Sequence, residues 1–166
     1  MLASLVASLL WATPLRAADA STDLRDLEQL FRQGGAVAAL PRLEQALRAQ
    51  PDDVGLRFLQ AVVLAEAGRQ AEATQVLERL TQSFPDLPEP YNNLAVLRAA
   101  DGQLALARSL LETALRLDPL YRTAHVNLGD VLVSLASQAY QTAAGLRDDA
   151  ALRAKLRMAR DLAALR

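Results

Sequence analysis

The sequence predicts an all-α protein, an α-solenoid built from antiparallel helix pairs, and three observations support this fold class. A glycine and a proline each recur three times at a spacing of 34 residues. The apolar residues between them recur at three- and four-residue spacings, which is the period of one helix face. Apolar residues make up 52% of the chain but aromatic residues only 4%, so leucine, alanine and valine must form most of the core. A fixed period of this length indicates stacked helical units.

Four kinds of residue mark the repeated unit. They are the glycines Gly34, Gly68 and Gly102, the alanines Ala39, Ala73 and Ala107, the leucines Leu43, Leu77 and Leu111, and the prolines Pro51, Pro85 and Pro119. Aligned on the prolines, the units run near 20–53, 54–87 and 88–121, and a divergent fourth unit starts at Arg122. In each unit we expect two helices that turn at the glycine and end before the proline. The alanines let the helices approach closely where they cross.

The first unit contains an irregular proline. Pro41 lies inside its second helix and has no N–H to donate to the carbonyl of Val37. We therefore expect a late helix start or a kink at this position.

The fourth unit loses the helix pair. Arg153 stands at the expected proline position, and a register shift of seven residues, nearly two helical turns, restores the apolar pattern. We therefore predict one long helix over roughly 122–144, broken between Gly145 and Asp149. Asp148 or Asp149 then caps a final helix that runs to about Leu165.

The amino terminus has the pattern of a secretory signal peptide. An apolar run over Met1–Ala12 is followed by Ala18-Asp19-Ala20, although no basic residue precedes the run. We expect a signal peptide over 1–20, cleaved after Ala20 or Ala17, and a helical repeat domain over 21–166. The mature protein would be periplasmic or secreted, without a stable membrane span; an uncleaved anchoring helix is the alternative.

Composition excludes several kinds of function. Eighteen basic against nineteen acidic residues give no electrostatic signal for nucleic-acid binding, and a chain without cysteine cannot form thiolate sites. His125 is the only histidine and is expected to pack or to form a surface hydrogen bond. The carboxylate pairs Asp52-Asp53 and Asp148-Asp149 stand at expected helix starts, where capping explains them better than a metal site. We predict no cofactor, no metal and no catalytic residues.

The repeat resembles the tetratricopeptide repeat (TPR) over about residues 20–145. The third unit carries the resemblance best, through Tyr91, Leu94, Ala95, Gly102, Ala107, Leu111, Ala114 and Pro119. Three units in one strict register make the resemblance specific for the fold. It implies a module that binds proteins, since a fold alone does not define a function.

The resemblance implies that the first helices of the units line a concave groove. Carried over to this chain, the residues of the groove are Leu24, Glu28, Phe31, Phe58, Val62, Glu66, Glu89, Asn92, Asn93, Val96, Val126, Asn127, Asp130 and Val133. The clamp of lysine, arginine and asparagine with which some TPR proteins hold a terminal carboxylate is absent, since Asn93 alone matches it. An apolar peptide or amphipathic helix fits such a groove, with Asn93 and Asn127 bonding its backbone. The alternative is that terminal helices or a second copy of the chain cover it.

The final helix has two different sides. Arg153, Arg157 and Arg160 lie along one side, and Leu152, Leu156, Ala159 and Ala163 form an apolar stripe on another. We expect the stripe to cap the solenoid and the arginines to face solvent; attraction to an anionic membrane or glycan is the alternative.

Together these features predict a non-enzymatic adaptor or assembly factor of the cell envelope that binds a protein or peptide. Two other functions stay open: a self-associating structural protein, and an accessory subunit of an envelope enzyme that uses His125.

Overall fold

The computed structural model describes residues 24–147 and 149–165, which lie in seven helices joined by short turns. The expected signal peptide, its cleavage sites and Asp148 lie outside the described residues. The helices are α1 (Leu24–Ala49), α2 (Val54–Glu66), α3 (Gln70–Ser83), α4 (Pro88–Ala100), α5 (Leu104–Leu117), α6 (Arg122–Leu146) and α7 (Ala150–Ala163). Each helix packs against the next one in the chain, and α4 also contacts α6. This succession of neighbouring helices confirms the predicted α-solenoid.

Glycine forms the turns inside the second and third units, as predicted. Gly68 and Gly102 both have φ of 76°, in the left-handed region that a side chain disfavours. At the first turn the N–H of Arg69 donates to the carbonyl of Leu64 at 2.9 Å, and that of Gly68 donates to Ala65 at 3.1 Å. This is the Schellman arrangement, in which a left-handed glycine lets the chain satisfy the last helix carbonyls.

The repeated small residues lie at the centres of the core. Ala39, Ala73 and Ala107 are all fully buried, each in a different cluster of apolar residues. The repeated leucines, from Leu43 onwards, are buried beside them. The prediction that these alanines pack in the core is therefore confirmed.

The first unit breaks at a glycine and not at the proline. Within α1 the single residue with non-helical angles is Gly35, whose φ is 66°, so the two helices of this unit meet there. The helix continues through Pro41, and the expected kink or late start at Pro41 is wrong. Pro41 and Val37 both lie on the exposed side of the helix. Water can therefore satisfy the Val37 carbonyl that the proline leaves without a donor.

The carboxy-terminal end follows the prediction. Helix α6 is one continuous helix, and Asp149 caps α7 by accepting a hydrogen bond from the N–H of Leu152 at 2.8 Å. Asp53 caps α2 in the same way, with the N–H of Leu56 at 2.8 Å. Ala159 is buried against α6, so α7 closes this end of the solenoid as expected.

Candidate binding groove

Two neighbouring cavities open between the first helices of the units. The first, of about 200 Å³, lies between α2 and α4 and is lined by Ala61, Val62, Ala65, Leu77, Asn93, Val96 and Leu97. The second, of about 230 Å³, lies between α4 and α6 and is lined by Ala95, Val96, Ala99, Ala100, Leu111, Asn127, Asp130 and Val131. Val96 belongs to both cavities and is 47% exposed. The two cavities thus form one surface, which we call the groove.

Small residues make the groove deep. Ala61 and Ala65 follow each other by one helical turn on α2, and Ala95 and Ala99 do the same on α4. Because methyl groups leave room between the helices, residues of the next layer such as Leu111 form part of the floor. The sequence prediction missed these floor residues. The alanine at every fourth position was the signal that could have revealed them.

Three asparagines connect the two cavities. Asn127 Nδ2 donates a hydrogen bond of 2.8 Å to Asn92 Oδ1, and Asn92 Nδ2 donates one of 3.1 Å to Asn93 Oδ1. Asn92 is only 2% exposed and links α4 to α6. The structure therefore places it as a buried bridge beneath the groove surface. The Asn93 Nδ2 and Asn127 Oδ1 atoms have no further hydrogen-bond partner in the described part of the chain.

Phe58 and Glu89 line a different cavity, at the amino-terminal ends of α2 and α4. This cavity of about 250 Å³ also contains Val54, Gly55, Leu87 and Pro90. Phe58 is only partly exposed and packs against the core cluster of the second unit. It therefore has a structural role as well as an accessible edge, whereas Glu89 is exposed at the rim.

Other predicted groove residues lie outside these three cavities. Leu24 and Phe31 pack against the core cluster between α1 and α2. A Cβ on Gly55 would lie 2.6 Å from Leu24 Cδ2, so this contact is close. Val126 is half-exposed on α6, near the start of that helix. Of the predicted set, the structure brings together Val62, Asn93, Val96, Asn127 and Asp130 around the groove.

The charged side chains that line these three cavities are Asp130 and Glu89, and both are acidic. Burial raises the pKa of the Tyr121 hydroxyl, and the nearby carboxylates of Glu89 and Asp118 raise it further. The acidic residues at these cavities therefore favour neutral or positively charged groups of a partner.

His125 makes a local structural contact. Its exposed ring nitrogen Nε2 lies 3.0 Å from the carbonyl oxygen of Pro119, just before α6 begins. Among the described residues, no cluster of three histidine or acidic side chains is arranged to hold a metal ion. No helix among residues 24–147 and 149–165 is both long enough and apolar enough to cross a bilayer.

Comparison with known proteins agrees with the fold. The tetratricopeptide repeat profile matches residues 29–88 and 92–161. A thermophilic TPR protein from Thermus thermophilus superimposes with a TM-score of 0.63 and 26% identity, over 82% of this chain and 78% of the other. The first TPR domain of human RPAP3 gives a TM-score of 0.64 at 21% identity, over 70% and 91%.

A third similar structure is a chain of the Naa15/Naa10 complex bound to HypK-THB. It gives a TM-score of 0.59 at 16% identity and covers 84% of this chain but 22% of its own length. At such identity it shows the shared fold alone. With the profile matched over most of its length, this chain belongs to the tetratricopeptide repeat family, whose members are generally non-catalytic modules that bind other proteins.

Proposed function

We propose that this protein is a non-enzymatic adaptor or assembly factor of the cell envelope, and that its groove holds an apolar peptide or helix of a protein partner. One observation carries this proposal: two apolar cavities meet at Val96, which remains 47% exposed between them. An apolar side chain of a partner that fills either cavity would remove this surface from water, which is the main driving force of protein association.

The polar atoms of the groove suit a polypeptide. Asn93 Nδ2 is a donor and Asn127 Oδ1 is an acceptor, on opposite sides of Val96. A peptide backbone offers the matching acceptor and donor. Because Asn92 already holds one end of each amide, these groups are oriented before the partner binds, which lowers the entropic cost of binding.

Photo-crosslinking tests the groove directly. A photoreactive amino acid at Val96 should crosslink a partner in native envelope, and mass spectrometry should map the link to an apolar segment. The matched control is the same amino acid at Leu106 on α5, which is 44% exposed but lies outside the groove. Crosslinking of the same partner segment from Leu106 and not from Val96 would place the binding surface elsewhere.

The affinity of the purified partner segment then measures how much Val96 contributes to binding. The variant Val96→Lys should weaken the affinity by about tenfold or more, because it places a charge between the two cavities. Leu106→Lys should leave the affinity unchanged. Calorimetric titration of both variants measures the difference, and equal affinities would contradict the proposal.

The envelope location is supported by the amino-terminal sequence. If the chain is exported and cleaved as the small-residue pattern suggests, amino-terminal sequencing of the native protein should begin at Ser21 or at Ala18. Recovery of intact Met1 from the soluble cytosol would refute this part of the proposal.

A further inference from the structure

Helix α7 and the turn that follows it expose a second apolar stripe beside the one that packs on α6. Met158, Leu162 and Leu165 are 66%, 54% and 81% exposed. They follow one another at four and three residues, so Met158 and Leu162 lie on one side of α7. Leu165 continues this side in the turn after the helix, where its N–H donates to the carbonyl of Leu162 at 3.2 Å. Met158 and Leu162 also line an open cavity of about 240 Å³ against Val133, Ala136 and Tyr140 of α6. An exposed apolar stripe with this spacing is the form in which a helix enters a hydrophobic groove.

The charges of α7 and of the groove side are opposite. The 14 residues of α7 contain four basic side chains and one acidic one. The charged residues that line the groove and the cavity next to it, Asp130 and Glu89, are acidic. The whole chain is almost neutral, with 18 basic and 19 acidic residues, so the excess of basic residues is particular to α7. The basic residue of α7 on the same side as the stripe is Lys155, three residues before Met158, and it should be attracted to these acidic residues.

The dimensions of the stripe also match. The end of α7 and the helical turn that follows it rise about 10 Å from Met158 to Leu165. Neighbouring packed helices are separated by roughly 8–10 Å. One side of α7 can therefore reach both cavities that share Val96.

We propose that α7 of one copy docks into the groove of a second copy through Met158, Leu162 and Leu165. The inference rests on the proposed function, because it assigns to the groove an apolar helix as its ligand. It adds that the protein supplies such a helix itself. A partner segment must then compete with α7 for the groove, so partner binding would separate the copies.

The contact joins two different surfaces and therefore has a direction. Each pair leaves one groove and one α7 unused, so further copies can add head to tail. This predicts dimers and longer chains whose population increases with concentration.

Sedimentation velocity of the purified full chain tests the inference. The wild type should show these concentration-dependent species, and they should decrease as salt is added. A helix variant, Met158→Glu with Leu165→Glu, and a groove variant, Val96→Lys, should each associate at least about tenfold more weakly. The matched control Val37→Glu changes a residue of α1 that is 90% exposed and should associate like the wild type.

Mixing the two variants gives the decisive measurement. The intact groove of the helix variant can accept the intact α7 of the groove variant, so the mixture should form 1:1 dimers and nothing larger. Restored association also shows that both variants are folded. A wild type that remains monomeric at all concentrations overturns the inference. A groove variant that still dimerises overturns it too, because α7 would then contact another surface, such as a second α7.

The outcomes separate this inference from the proposed function. A monomeric wild type that binds its partner through Val96 refutes self-docking and leaves the adaptor proposal standing. A folded helix variant that dimerises with the groove variant but does not bind the partner segment refutes the adaptor proposal and supports self-docking.

Discussion

Two glycines in equally open surroundings allow the cost of a left-handed turn to be measured. A Cβ added at Gly68 or at Gly129 would meet no atom within 4 Å apart from its immediate neighbours. Gly68 has φ of 76°, whereas Gly129 lies inside α6 and has ordinary helical geometry. Replacing each glycine with alanine therefore changes the backbone preference and almost nothing else.

The two substitutions should act in opposite directions. Gly129→Ala should stabilise the protein by about 0.5–1 kcal/mol, because alanine loses less conformational entropy on folding. Gly68→Ala gains a similar entropic term but must hold an L side chain in the left-handed region, which costs about 1–2 kcal/mol. The difference between the two variants should therefore be about 1–2 kcal/mol. In a domain of this size it corresponds to roughly 2–8 °C in melting temperature.

Thermal unfolding followed by circular dichroism, supported by urea unfolding at 25 °C, measures this difference. Gly102→Ala is the internal control, since Gly102 has the same φ and the same empty surroundings as Gly68. If Gly68→Ala melts at or above the temperature of Gly129→Ala, left-handed geometry is not the reason for glycine at the turns.

Three further predictions concern the core and the groove. Asn92→Ala removes both hydrogen bonds of the buried amide and should lower the free energy of unfolding by about 1–3 kcal/mol. A double-mutant cycle with Asn127→Ala should show a coupling energy of at least about 0.5 kcal/mol. Additive losses in urea unfolding would contradict the Asn92–Asn127 bridge. Ala107→Leu should overpack the third core cluster and lower the free energy of unfolding by roughly 1–3 kcal/mol. Leu106→Ala, at the neighbouring exposed position, should change it little. Equal melting temperatures for the two variants would show that the buried side of α5 has been assigned wrongly. The phenolate absorbance of Tyr121 should develop above the ordinary tyrosine pKa of 10.0. Because its pKa is raised in the folded protein, ionisation of this residue should favour unfolding as the pH rises past about 10. A titration at or below the ordinary value would refute the burial of Tyr121.

The period of the sequence was sufficient to predict the architecture. Gly68 and Gly102 repeat the same turn because the same residues surround them, so spacing alone located it. The first unit shows the limit of this reasoning. Gly34 and Gly35 are adjacent, and both can adopt a left-handed conformation. The 34-residue spacing points to Gly34, but the residue with the left-handed φ of 66° is Gly35, and no local signal in the sequence distinguishes the two.

The groove was harder to predict than the fold, because residues on its border can face either inward or outward. The family pattern assigns Asn92 and Phe58 to the groove surface. The structure buries Asn92 as a bridge and packs part of Phe58 into the core. Both lie near the edge of the helix face that turns inward, where a small rotation of the helix decides between packing and exposure. A one-dimensional pattern contains no information on that rotation.

Some predicted groove residues also stabilise the fold, and this affects the choice of residues for testing function. Phe58 is, with Phe31, the largest apolar side chain of the predicted groove, but Phe58→Glu would place a charge against the core cluster and could unfold the second unit. Val96 is smaller, yet it is exposed and belongs to both cavities, so a substitution there changes binding with little effect on packing. A loss of binding in a Val96 variant that keeps its melting temperature can be attributed to the groove. The same loss in a Phe58 variant could arise from the fold.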